Sequence, residues 1–365
     1  MKRILIAIGT LGGGGAERVV SVWTKKLIEQ GYDVHLLIHG RTDNEYEIPE
    51  SAVIHPIAAT PKDYAAIPYL KRLKKTREIV KSINPDLLFS FLPTIQIWMM
   101  FATIGLKLYR VETVRNSPWH EITDKKVKFL WKKCFKRCNA FIVQTPEQQT
   151  FFSEKVAKKA IVITNPVSPN CYANAKTEFP PKIRRFVAAG RITSQKNYPM
   201  MLDAFKKALA EKPDITLSIY GGGTEQNEKA VQDRITEMGL QDNVFLMGKS
   251  STMHLEMKKH DAFLMSSDYE GMPNALLEAM VIGLIAVSTD CRTGPKDIID
   301  HGVNGYLTPV GNADEMAKHI LHLTDMTAEE ISAMARDGQR KVADLCDDKK
   351  SFDTLIRLIE EQPNA

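Results

Sequence analysis

Apolar runs of four to six residues recur along the chain, separated by longer segments whose apolar positions repeat with helical spacing. In the first half the runs cover residues 4–8, 34–38, 87–91, 111–114 and 141–144. In the second half they cover 186–189, 216–220, 244–247, 262–265 and 285–288. Short, nearly continuous apolar strands alternating with helices predict parallel sheets covered on both faces. The alternation occurs twice, and each half opens with a strand, a Gly-rich or polar loop (9–15, then 190–197) and a helix. The expected class is α/β: two Rossmann-like, doubly wound domains that bind ligands at the carboxyl ends of their strands, across a cleft.

Domain boundaries follow from composition. Residues 1–165 form the first expected domain and 183–345 the second. Between them, 166–182 is rich in Pro and Asn and reads as an extended linker. The remainder, 346–365, is expected to be a helix packing back on the first domain. One stretch, 87–106, has no charged residue and is long enough to cross a bilayer. Pro93, Thr94 and Gln96 interrupt it, so a strand, a loop and a buried helix are expected instead. The apolar run at the N-terminus ends in glycines too soon for a signal-peptide core.

A length of 365 residues suits two domains, and 44% hydrophobic with 25% charged residues excludes a disordered or collagen-like chain. Five cysteines, none in a CxxC pair, argue against a disulfide framework or a zinc site and fit the cytosol. Charge is uneven. Up to Asn165 there are 26 Lys and Arg against 15 Asp and Glu, a surplus of eleven; the rest holds 23 against 29. A basic front half attracts phosphates or anionic lipid. No nucleic-acid module is apparent, so nucleic acid is not an expected partner.

Three segments could carry chemistry. Gly12, Gly13, Gly14 and Gly15 follow a strand and precede a helix, where close backbone approach and unpaired N–H groups favour an anion. The second strand ends at Ile38-His39-Gly40 without a carboxylate, which disfavours a nicotinamide site. Gly190-Arg191 and Lys196 bring two cations to the corresponding loop of the second half. The third segment runs from Ser266 to Met280, with Glu270 in a loop, a break at Gly271 and Pro273, a capping Asn274, and Glu278 inside an apolar helix. Carboxylates flanking a helix N-terminus suit sugar hydroxyls beside a phosphate.

Together these motifs, with Gly221-Gly222-Gly223 and the segments Gly294-Pro295 and Gly302–Leu307, resemble the retaining family 4 glycosyltransferases of the GT-B fold, of the bacterial polysaccharide and glycan type. The resemblance implies a nucleotide-sugar donor, most readily UDP-linked, bound mainly by the second domain, with the first domain on the acceptor side. It implies Arg191 and Lys196 at the diphosphate, Glu278 at the ribose and Glu270 at the sugar. Gly190, Gly221 and the amides of Gly271, Met272 and Asn274 would line the donor, joined by Gly13, Gly14 and Gly15. The family often carries a histidine after the strand at 111–114; this chain has Arg115 and Asn116 there, with His120 further on as an acceptor-side candidate. No cofactor and no metal are expected, because Arg and Lys take the place of a divalent ion and no Asp-x-Asp triplet occurs. The implied acceptor is lipid-linked or a polysaccharide. A UDP-sugar epimerase and a non-catalytic donor-binding subunit are the competing readings.

The segment 124–137 places Val127, Leu130, Trp131 and Cys134 on one helical face with seven Lys and Arg around it, and Lys71 to Arg77 is a second basic run. Contact with an anionic membrane surface, at the inner face of the cell membrane, is expected from this pattern.

Overall fold

The computed structural model describes residues 2–43 and 45–361. It divides into two compact units, Met1–Pro166 with Lys349–Ala365, and Val167–Asp348. The first holds a seven-stranded parallel sheet: β1 (Arg3–Ala7), β2 (Asp33–Ile38), β3 (Val53–Pro56), β4 (Leu87–Ser90), β5 (Tyr109–Thr113), β6 (Ala140–Val143) and β7 (Ala160–Val162). The second holds six parallel strands: β8 (Arg185–Ala189), β9 (Thr216–Tyr220), β10 (Val244–Gly248), β11 (Ala262–Met265), β12 (Ile285–Thr289) and β13 (Gly305–Thr308).

The strand orders are β3-β2-β1-β4-β5-β6-β7 and β10-β9-β8-β11-β12-β13. Both reverse direction between their first and fourth strands, the switch point where doubly wound sheets bind ligands. The ten apolar runs all form strands. Three further strands, β3, β7 and β13, lie at sheet edges. At these edges Val53 and Val162 are exposed, although 160–163 is itself a short apolar run outside the ten.

Central strands are fully enclosed: Ile4, Leu5, Ile6, Phe89, Phe141, Phe186, Phe263 and Val287 are all buried. Residues 87–106 resolve into β4 and the helix Pro93–Ala102, whose Ile95, Trp98, Met99 and Met100 are core. Among the described residues no helix is long and apolar enough to cross a membrane.

Part of the expected linker is packed. Ser168 precedes a short helix, Pro169–Ala173, and Val167 and Cys171 are buried in the core of the second unit. Proline at the first helical position starts this helix; a Pro-rich composition was compatible with that as well as with extension. The C-terminal helix, Asp348–Glu360, belongs to the first unit and inserts Leu355, Leu358 and Ile359 into its core beside β1 and β2. Lys2 Nζ donates to Ile359 O across that contact (2.6 Å).

Candidate active site

In the second unit, the loops after β8 and β11 lock together at the switch point. The chain leaves β8 at Gly190 and makes a short 3₁₀ turn, Ser194–Lys196. Asn197 follows in the left-handed region (φ 44°), and its side chain accepts from Met200 N to cap the helix Tyr198–Glu211. Five hydrogen bonds then join this turn to the loop after β11. Asp268 N donates to Gln195 O (2.8 Å), and Gln195 Nε2 to Tyr269 O (2.8 Å). Asn197 Nδ2 donates to Asp268 Oδ1 (2.7 Å), and Ser266 Oγ to Lys196 O (2.7 Å). Lys196 Nζ donates to Glu270 Oε1 at 2.5 Å.

That last contact is a nearly enclosed ion pair, with side-chain exposures of 17% and 8%. Ser267 Oγ donates to the same carboxylate oxygen (2.7 Å), and Thr293 Oγ1 donates to the Glu270 carbonyl. Thr289 Oγ1 and Cys291 Sγ fix Ser267 O in turn. Burial pushes the Cys291 thiol up to about 12, which leaves it unreactive as a nucleophile. Glu270 is thus held at one oxygen by a cation and a hydroxyl.

Gly221 admits no side chain. Its φ is +145°, and an added Cβ would lie 1.9 Å from Gly190 O, so the loops after β8 and β9 touch through backbone alone. The buried Gly271, Met272 and Pro273 lead into the helix Asn274–Ile282. Glu278 is half-buried on this helix, between buried Leu277 and Ala279. Arg191 is exposed and pairs with no side chain among the described residues. Of the two expected phosphate cations, one is therefore solvated and the other engaged by Glu270.

In the first unit the Gly-rich loop leads into the helix Gly15–Glu29, with Gly14 as its N-cap. The helix brings its own anion. A Cβ on Gly14 would lie 1.9 Å from Glu17 Oε2, so this glycine makes room for the first-turn carboxylate, which complements the helix dipole.

After β5, Arg115 lies with its guanidinium carbon 5.3 Å from the centres of both Trp23 and Phe91. Its Nη1 and Nη2 are shut off from solvent and have no hydrogen-bond partner among the described residues. Burial pulls its pKa down to about 9. Asn116 serves the loop: its Oδ1 accepts from Ser117 N (2.8 Å) and its carbonyl from Gln148 Nε2 (3.1 Å). His120 is exposed, with Nδ1 2.9 Å from Ser117 Oγ. Two further groups of the same unit were given no role from the sequence. Burial pushes the Glu121 carboxyl up to about 7. His39, after β2, stacks on Tyr64 (3.8 Å), and burial lowers its pKa to about 4. No local spacing links His39 to Tyr64, because different elements deliver them.

The helical face that carries Trp131 points into the first unit. Together with Cys134 and Phe135, Trp131 is core in the helix Lys125–Arg137, while Val127 and Phe129 are exposed among the lysines. Trp131 Nε1 donates inward to the buried Gln96, which also spans Ser90 O and Thr113 O.

Comparison with known proteins agrees with this architecture. Residues 13–170 match Glycosyltransferase Family 4, and residues 173–341 match Glycosyl transferases group 1. The amylovoran biosynthesis glycosyltransferase AmsD of Erwinia amylovora is 25% identical over 316 residues, 84% of this chain and 86% of that protein. An N-acetylgalactosamine-N,N'-diacetylbacillosaminyl-diphospho-undecaprenol 4-alpha-N-acetylgalactosaminyltransferase of Campylobacter jejuni is 24% identical over 329 residues, covering 87% and 88%. Anabaena HepE, solved in complex with UDP and glucose, superposes with a TM-score of 0.82 at 18% identity, covering 99% of this chain and 100% of that one. The chain belongs to the group 1, family 4 glycosyltransferases and has the GT-B fold.

Proposed function

We propose that this glycosyltransferase is a retaining, metal-independent hexosyltransferase that moves a sugar from a UDP-sugar to a hydroxyl of a lipid-linked or polysaccharide acceptor. The observation that carries this reading is the junction of Lys196 and Glu270, built by two interlocked loops at the switch point of the second sheet. A diphosphate gains negative charge as it leaves, and a fixed ammonium is worth most where that charge appears. Lys196, with exposed Arg191, meets the diphosphate, and the second oxygen of Glu270 is left to accept from a sugar hydroxyl. Glu278 accepts from the ribose. Gly190, Gly221 and the amides of Gly271, Met272 and Asn274 line the donor, and Gly13, Gly14 and Gly15 contribute to it. Arg115, Asn116 and His120 belong to the acceptor-side pocket of the first unit. The relatives support the donor and acceptor classes: HepE was solved with UDP, and the Campylobacter enzyme is named for a diphospho-undecaprenol acceptor.

The basic surplus of the first unit directs it to an anionic membrane surface at the inner face of the cell membrane. Phe129 is 60% exposed beside Lys133, and Leu70 is 75% exposed beside Lys71. Apolar side chains set among lysines are the composition that anionic lipid attracts.

A panel of nucleotide-sugars, read by thermal shift and by donor hydrolysis, tests the donor class. Donor turned over without any acceptor into an isomeric nucleotide-sugar would mean an epimerase. Binding without turnover under every acceptor would mean a donor-binding subunit. UDP titrated into Glu270→Ala and Glu278→Ala tests the roles. Glu278→Ala is expected to lose more UDP affinity, and the opposite order would reverse the assignment.

A further inference from the structure

The first unit contains a cation that the fold does not explain. Arg115 is half-buried, yet both of its terminal nitrogens are closed to solvent and donate to nothing. Buried guanidinium groups held for structural reasons carry a carboxylate or several carbonyls, because unpaired donors in a dry site are costly. Here the guanidinium lies over the faces of Trp23 and Phe91, at 5.3 Å each, and its two terminal nitrogens meet no acceptor among the described residues. Aromatic faces attract a cation but fill none of its hydrogen-bonding positions. Burial is what lowers its pKa.

The two rings also fix its direction. Trp23 comes from the helix Gly15–Glu29 and Phe91 follows β4, while Arg115 itself follows β5. The rings are packed edge to face at 5.6 Å and belong to the buried core, so they form a stiff floor. A planar fork held on such a floor with no oxygen in it is half of a bidentate contact.

We infer that Arg115 receives an oxyanion carried by the substrate, either the carboxylate of a uronate sugar or a phosphate of a phosphorylated acceptor. The inference rests on the glycosyltransferase reading above and adds to it the charge of the group that the first unit recognises. Arg115 is then a residue of substrate specificity: a neutral sugar leaves its fork empty, and an acidic one fills it.

The experiment uses the full chain. UDP is first titrated alone into the wild type; absence of UDP binding would count against the parent reading and not against this one. With UDP held in saturating excess, inorganic pyrophosphate, D-glucuronate and, as the neutral control, D-glucose are titrated and followed by calorimetry and Tm. At least one of the two oxyanions is expected to raise Tm by about 2 °C or more, and glucose is expected to leave it unchanged. Pyrophosphate alone would identify a phosphate, glucuronate alone a uronate, and a response to both would support the shared chemistry. Arg115→Met removes the charge and keeps an apolar stem over the rings. It is expected to raise the ligand-free Tm while weakening the effective oxyanion at least tenfold. Arg115→Lys, which keeps the charge but not the fork, is expected to fall between. A ligand-free Arg115→Met that melts below the wild type would make the cation structural and overturn the inference. So would a wild type that responds to neither oxyanion, or a response that survives in Arg115→Met. Should Arg115→Met fail to fold, the wild-type titrations and Arg115→Lys decide alone.

Discussion

The two units share a strand order and differ in how they hold charge. In the second unit the buried charges at the switch point are paired, with the exposed Arg191 left to solvent: Lys196 meets Glu270, and Ser267 shares the same oxygen. Its shifted carboxylates are lowered, Asp314 by Lys207, Asp325 by Lys212 and Glu256 by Lys259. In the first unit burial outweighs pairing at three groups. Arg115 has no acceptor, and burial lifts the Glu112 and Glu121 carboxyls to about 8 and about 7. A site that is neutral before its ligand arrives is pre-ordered. A site with an orphaned charge depends on the ligand to complete it, and holds lower stability until then.

The largest test of this contrast is Glu270→Gln, which leaves the loop hydrogen bonds and removes the charge that orients Lys196. Turnover is expected to fall by about 10²–10³-fold, measured as steady-state transfer on the donor identified by the panel. A loss below threefold would remove Glu270 from the chemistry. Gly221→Ala comes next, as a control on the scaffold. Its Cβ would collide with Gly190 O, so the second unit is expected to lose roughly 3 kcal/mol, read by denaturant unfolding.

Lys196→Met is expected to cost about 1.5–3 kcal/mol in donor binding or turnover, the scale of a charge-assisted hydrogen bond. Combined with Glu270→Gln the losses should fall well short of additive, because each group acts through the other. Additive losses would show that the pair is incidental. Activity should persist in EDTA; its abolition, with rescue by Mg²⁺ or Mn²⁺, would contradict the cation roles.

The contrast also has a pH signature. Glu112 is favoured in its protonated form by the fold, because its folded pKa lies above the ordinary value of 4.5 at about 8. Its contribution is therefore full below pH 4.5 and is lost as pH rises through 8. Glu112→Gln should flatten that decline, seen as a Tm about 2–4 °C above the wild type at pH 8 and a smaller gap at pH 5. The lowered carboxylates of the second unit act in the opposite sense: their contribution is present above their ordinary values and lost in acid. The smallest effect on catalysis is expected from replacing Lys132, Lys133, Lys136 and Arg137 by Glu. Donor hydrolysis should hold while binding to anionic vesicles, and its steep fall with salt, disappear. Unaltered vesicle binding would move the lipid contact elsewhere on the first unit.

Much of this was legible in the chain. Ten apolar runs marked ten strands: nine lie inside their sheets, where parallel strands buried on both faces need no polar positions, and β10 is the exception at an edge. β3, β7 and β13 were not read: each is an edge strand of only three or four residues, and the apolar run at 160–163 was passed over. The loop motifs around Gly190, Lys196 and Glu270 could be read because backbone constraints and charge leave local marks. The helical face that carries Trp131 and Cys134 could be read from spacing, but what it packs against, here Gln96, could not.

By itself, then, the sequence determined the doubled α/β order, the position of the switch-point loops and the residue types placed on them, all consequences of local periodicity and short-range chain geometry. Only the tertiary structure decided which charges meet. Lys196 and Glu270 are 74 residues apart and become a pair through the loops after β8 and β11, whereas Arg115, flanked by Trp23 and Phe91 from other elements, is left with none. Coulombic pairing and desolvation act over a few ångströms of space, and distance along the chain does not measure that.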